Sequence, residues 1–130
     1  MTEIRYTIPL APVSKKNSQQ ILVNRKTGKP FVMPSAKYRE YEKAAMLYLL
    51  RPPEAPICAP VEITYRFYMP TRRRVDLTNL MEAADDLLVA AGILADDNSS
   101  IVVSHDGSRV LYDKDAPRTE ITITNQEVAI

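Results

Sequence analysis

Residues 61–68 read VEITYRFY, and their alternation sets the architecture around them. Val61, Ile63, Tyr65 and Phe67 fall on one side of an extended chain, with Glu62, Thr64 and Arg66 on the other. That is the period of a strand with one buried face. Downstream the period changes. From about Leu77 to Ala91 the apolar positions Leu77, Leu80, Met81, Ala84, Leu87, Leu88 and Ala91 recur at helical spacing, and Gly92 follows as a stop.

The same reading extends to both ends. EIRYTI, residues 3–8, alternates with Ile4, Tyr6 and Ile8 on one face. PLAPVSKKNSQQ reads as a loop, and ILVNRKTGKPFVM, residues 21–33, as a hairpin with Lys26–Lys29 at its tip. Ser35 suits the N-cap of a helix whose apolar face is Tyr38, Tyr41, Ala45 and Tyr48, stopped by Arg51-Pro52-Pro53. Residues 54–60 form a proline-rich connector. SIVVSH is expected to be a short buried strand, HDGS a turn, and RTEITIT, residues 118–124, a last alternating strand. The order predicts an α+β fold: a single domain over residues 1–130, with a mixed β-sheet and two main helices packed on it.

Composition narrows the class. With 130 residues, 45% hydrophobic and 25% charged, the chain is expected to bury one core. Its one cysteine, Cys58, excludes an internal disulfide and suits a cytoplasmic location; lying between Pro56 and Pro60, it reads as a packing residue. No apolar run approaches membrane-spanning length, and MTEIRYTIPL lacks the apolar core of a signal peptide. The net charge of +1 hides an asymmetry. Residues 1–51 carry ten Lys/Arg and three Asp/Glu, and residues 52–74 four and two. Residues 75–130 carry three and eleven. The first two regions suit a polyanion and the third suits cations, unless the two simply neutralise each other in the fold.

The acidic part has a pattern. Asn79, Glu82 and Asp86 share one face of the second helix, Asp76 precedes it, and Asp96-Asp97 follow it. Glu82 and Asp86 repel each other at four-residue spacing. A solvated face or a bound cation relieves that repulsion. If the chain reverses at Gly92, Asp76, Glu82 and Asp97 are expected to surround one Mg²⁺, an ion that takes hard oxygen ligands. The same residues also read as a helix cap and an ordinary acidic turn.

The longer stretch RRRVDLTNLMEAADDLLVAAGILADDNSSIV, residues 72–102, closely resembles the signature of RusA-type Holliday junction resolvases. PVSKKNS resembles that family's Ser/Lys/Asn loop, and PSAKYREYE its first helix. The likeness spans nearly the whole chain and is densest over residues 70–102. It implies a Mg²⁺-dependent, structure-selective endodeoxyribonuclease that resolves four-way junction DNA by paired nicks as a homodimer, in recombination and repair. Residue by residue, Asp76 matches the first catalytic aspartate and Asp97 the one before the following strand, with Asp96 its neighbour. Asp86 matches the aspartate inside the helix. Thr78 stands where the motif has a second aspartate, and Glu82 where it has a lysine. Glu82 is therefore expected to be a relocated metal ligand, and Lys15, Lys16 or one of Arg72, Arg73 and Arg74 to supply the missing positive charge. The arginines, with Lys15, Lys16 and Asn17, are expected to hold DNA phosphates. His105, the only histidine, reads either as an aid to proton transfer or as part of a turn or polar rim. Thr78 and Glu82 also favour an alternative: a non-catalytic protein that binds branched DNA on the same scaffold.

Overall fold

A computed structural model describes residues 3–15 and 19–125. The elements run β1 (Glu3–Ile8), β2 (Gln19–Val23), β3 (Pro30–Pro34), α1 (Ala36–Met46), β4 (Val61–Met69), α2 (Leu77–Ala90), β5 (Val102–Ser104), β6 (Arg109–Tyr112) and β7 (Arg118–Asn125).

β4 is the axis of the larger sheet. β7 lies antiparallel along one side of it, and β1 is antiparallel to β7. On the other side β5 pairs in parallel with its first residues, through Val61 and Glu62. β6 pairs in parallel with its last residues, Arg66 to Met69. A parallel neighbour needs a long crossover, and α2 supplies it between β4 and β5. The result is the mixed sheet with two helices that the alternating and helical periods predict.

The alternation settles which face is covered. Val61, Ile63, Tyr65 and Phe67 of β4 are buried, as are Thr119, Ile121 and Ile123 of β7. The apolar ones pack in one core with Ala45 of α1 and with Leu80, Ala84, Leu87 and Leu88 of α2. On the opposite face Arg66 is exposed, and Thr64 and Thr122 are half-buried.

Both helices start on side-chain caps. Ser35 accepts a hydrogen bond from the Tyr38 backbone N–H at 3.2 Å, and Asp76 accepts one from Thr78 at 3.0 Å. α2 ends in a Schellman turn, with Ile93 N bonded to Leu88 O at 3.0 Å and Gly92 N to Val89 O at 3.1 Å. Gly92 has φ +77°, a conformation that costs a glycine little. The chain then doubles back to bond Ile57.

Five local expectations need correction. α1 stops at Met46, not at the prolines. Beyond it Tyr48 N and Leu49 N bond carbonyls three residues back, a tighter winding that advances each side chain further around the axis. Leu49 is therefore buried, while Tyr48 is 46% exposed. Val103 in the "buried" strand is also exposed, because β5 is a three-residue edge. β6 is an unexpected strand: it is four residues long, and only Leu111 is even half-buried, too little for a legible period. Cys58 is exposed rather than packed.

Candidate functional site

The local sequence around residue 76 builds a hydrogen-bonded corner. β4 ends at Met69, and residues 70–75 carry Arg72, Arg73 and Arg74, all exposed. Arg72 lies over the Tyr112 ring at 4.2 Å, a cation–π contact that positions the guanidinium without neutralising it. Arg73 and Arg74 line an open groove with Pro12, Val13, Lys37 and Thr71. Lys37 is an addition to the expected DNA contacts; it reaches this groove because α1 starts beside it.

Asp76 then caps α2. Its Oδ1 accepts both the backbone N–H of Thr78 at 3.0 Å and the Thr78 hydroxyl at 2.7 Å. Where the resemblance implies a second carboxylate, Thr78 instead pins one oxygen of the first.

At the other end of α2, residues 95–100 form an acidic loop. Asp96 shapes it: Oδ1 accepts from Asp97 N at 2.7 Å, and Oδ2 from the Asn98 amide at 3.2 Å. These bonds hold the Asp96 carboxyl below its ordinary pKa. Asp97 behaves oppositely. Partial desolvation, the Asp96 side chain and the charges of Asp86 and Asp85 push its pKa up. The reversal at Gly92 has therefore brought Asp97 into the electrostatic reach of the carboxy-terminal half of α2.

Asp86 and Asp85 are neighbours with different surroundings. Asp86 is half-buried and pairs with Lys15 at 2.9 Å; the Lys15 ammonium also lies 5.7 Å from the Tyr38 ring centroid. Asp85 turns inward, with 9% exposure. Its Oδ1 accepts the Tyr65 hydroxyl at 2.5 Å, and its Oδ2 lies 2.8 Å from His105 Nε2. His105 Nδ1 faces the Ile63 carbonyl at 3.0 Å. Burial pulls the His105 pKa down, but Asp85 and Ile63 outweigh it and the net shift is upward. The Tyr65 pKa is raised by its burial first, then by Asp85. Sequence reasoning placed His105 in a turn or at a site and passed over Asp85 and Tyr65. A signal was available: Asp85 falls on the apolar stripe of Met81, Ala84 and Leu88, and a carboxylate on a buried stripe requires a partner.

Not all the expected carboxylates meet. Ten residues of α2 separate Asp76 from Asp86, about 15 Å of helix rise. Glu82 is exposed, about 9 Å along that axis from Asp76. Among the described residues, no three His, Cys, Asp or Glu side chains gather closely enough to hold a metal ion. Asn79 is half-buried on α2. Lys16 and Asn17 lie outside the described residues. No helix among the described residues is long and apolar enough to cross a membrane.

The model of the family described as Endodeoxyribonuclease RusA matches residues 9–124 of this chain. No curated protein matches it.

Proposed function

Because the chain belongs to the RusA endodeoxyribonuclease family, we propose that it is a Mg²⁺-dependent, structure-selective nuclease that resolves four-way DNA junctions. In this reading it works in the cytoplasm, in recombination and repair. A homodimer makes the two nicks, since a two-fold assembly presents two equivalent sites to a two-fold substrate. The observation that carries the metal dependence is the crowding of charge at Asp97, whose pKa is raised by desolvation and by Asp96, Asp86 and Asp85.

The donor chemistry fits magnesium. The candidates are all hard carboxylate oxygens, and Mg²⁺ is usually held by one or two carboxylates with water and substrate phosphate. A three-ligand cage within the protein is therefore not required. Asp97 and Asp76 are the proposed holding residues, with Glu82 as the relocated carboxylate and Asp96 and Asp86 supporting them. A bound divalent ion would supply an activated water and charge stabilisation on the phosphodiester. The chain's own residues do the positioning. Thr78 fixes the Asp76 carboxylate, Asp96 fixes the backbone of Asp97, and Lys15 offsets the charge of Asp86.

Arg72, Arg73 and Arg74 are the proposed phosphate grip, joined by Lys37 across the groove. Replacing the three arginines by Ala is expected to weaken junction binding and flatten its salt dependence. On duplex DNA the log–log slope should fall by roughly 0.9 for each phosphate that is no longer neutralised. An unchanged slope would make them ordinary surface charge.

A second reading keeps DNA binding without cleavage. Thr78 and Glu82, which stand where the family motif has an aspartate and a lysine, favour it. Incubating the protein with four-way and linear DNA, with Mg²⁺ and with chelator, separates the two. Mg²⁺-dependent paired nicks confined to the junction support the nuclease. Tight junction binding with intact strands at every Mg²⁺ concentration supports the binding protein.

A further inference from the structure

The β2–β3 hairpin stands apart from the five-stranded sheet as a two-stranded sheet of its own, and β3 lies against α1. Such a hairpin alone is marginally stable in water. Yet it exposes apolar side chains on both faces. Ile21 is 75% exposed and Val23 62%, on one face of β2. Leu22 and its cross-strand partner Phe31 are exposed on the other.

The turn is closed by its own hydrogen bonds and carries only positive charge. Asn24 organises it: its N–H donates to Lys29 O at 2.9 Å, and its carbonyl accepts from Gly28 N at 2.7 Å. Its Oδ1 accepts from Lys26 N at 2.9 Å. Gly28 closes the turn at φ +70°. Residues 19–34 contain Arg25, Lys26 and Lys29 and no acidic residue. These three cations make no ion pair among the described residues. Two copies of such a hairpin would repel each other, whereas a polyanion is complementary to it.

We propose that this hairpin is a branch-point arm for DNA. The inference rests on the nuclease reading and deepens it, because it gives the source of structure selectivity. Arg25, Lys26 and Lys29 hold phosphates beside the crossover. Ile21 and Val23 lie against base faces that a four-way junction exposes and a continuous duplex keeps stacked. Apolar side chains placed at base steps must offset the cost of unstacking, and that cost is least where stacking is already interrupted. The arm therefore favours branched DNA without reading sequence.

The test measures binding of full-length protein in chelator to a four-way junction and to linear duplex of the same arm sequence. A fluorescent base analogue sits at the branch point. Replacing Arg25, Lys26 and Lys29 together by Ala should weaken junction binding and lower the salt slope by about 2–3. Replacing Ile21 and Val23 by Thr keeps β-branched residues in the strand. That variant should keep the wild-type slope, lose about tenfold of the preference for junction over duplex as the apolar contact of two side chains is lost, and abolish the fluorescence change. Circular dichroism of both variants should match wild type. The inference is overturned if both variants bind the junction as wild type does. It is also overturned if the Thr variant instead changes the sedimenting mass, which would make the hairpin an interface between copies. A wild-type protein that ignores junctions defeats the nuclease reading as well; normal wild-type binding with unaffected variants defeats only the arm.

Discussion

Asp85→Ala is expected to cost about 3–5 kcal/mol of folding free energy, measured by urea unfolding without metal. The residue it removes is buried between two partners. Both ring nitrogens of His105 face acceptors, Asp85 Oδ2 and Ile63 O. The doubly protonated ring satisfies both at once. Without Asp85, Tyr65 keeps a fully buried hydroxyl with no acceptor, and His105 loses the carboxylate that balances its charge. Had Asp85 been a solvated charge on the helix surface, alanine would have been neutral or mildly stabilising, since it improves helix propensity and removes a neighbour of Asp86. A loss below about 1 kcal/mol would therefore dismantle this network.

The network also fixes a pH dependence. The folded-state pKa of His105 lies above its ordinary 6.5, so the folded protein binds that proton more tightly than the unfolded chain. Its stabilising contribution is complete below about 6.5 and is lost as the pH rises through the folded value. Wild type should weaken over that window, and Asp85→Ala should lack this component.

Asp97→Asn is expected to abolish cleavage while leaving junction binding intact. The loss should exceed the roughly 10–100-fold typical of removing a group that only supports a metal ligand. The metal-free fold should respond in the opposite direction. Asp97 has a raised pKa because desolvation and neighbouring carboxylates oppose its charge. An acid with a raised folded pKa subtracts stability once the pH exceeds its unfolded value. Asparagine removes that opposition, so the midpoint of metal-free thermal unfolding should stay level or rise. Activity lost with stability kept is the pattern of a functional carboxylate. Cleavage at the wild-type rate would transfer the role to Asp96. Asp76→Asn should likewise stop cleavage at little cost to the fold, since asparagine caps a helix about as well as aspartate.

The elements that hold the site were legible because their determinants are local. Alternation in VEITYRFY places Tyr65 and Phe67 inward whatever lies opposite. Asp76 and Gly92 bound α2 through groups within a few residues, by a cap and a left-handed turn. The basic run ahead of Asp76 and the acidic loop after Gly92 could be read as charge without knowing where either sits. The likeness over residues 72–102 supplied the family, and the family model bears it out.

Other features depended on segments distant in sequence. Asp85 and Asp86 are the same residue type in adjacent positions. One meets Tyr65 and His105 at the covered face of the sheet, and the other meets Lys15 from the first loop. Rotation by one residue on a helix changes the face, and only the packed neighbours say what that face meets. β6 was invisible because four mostly exposed residues carry no period, and the edge of β4 is what makes them a strand. The hairpin was readable as a hairpin, but its detachment from the main sheet follows from strand pairing. Strands, caps, charge and family are each set by neighbours along the chain and can be read there. Which carboxylate is buried, which is paired and which is crowded follows from packing, because electrostatic energy depends on distance through space.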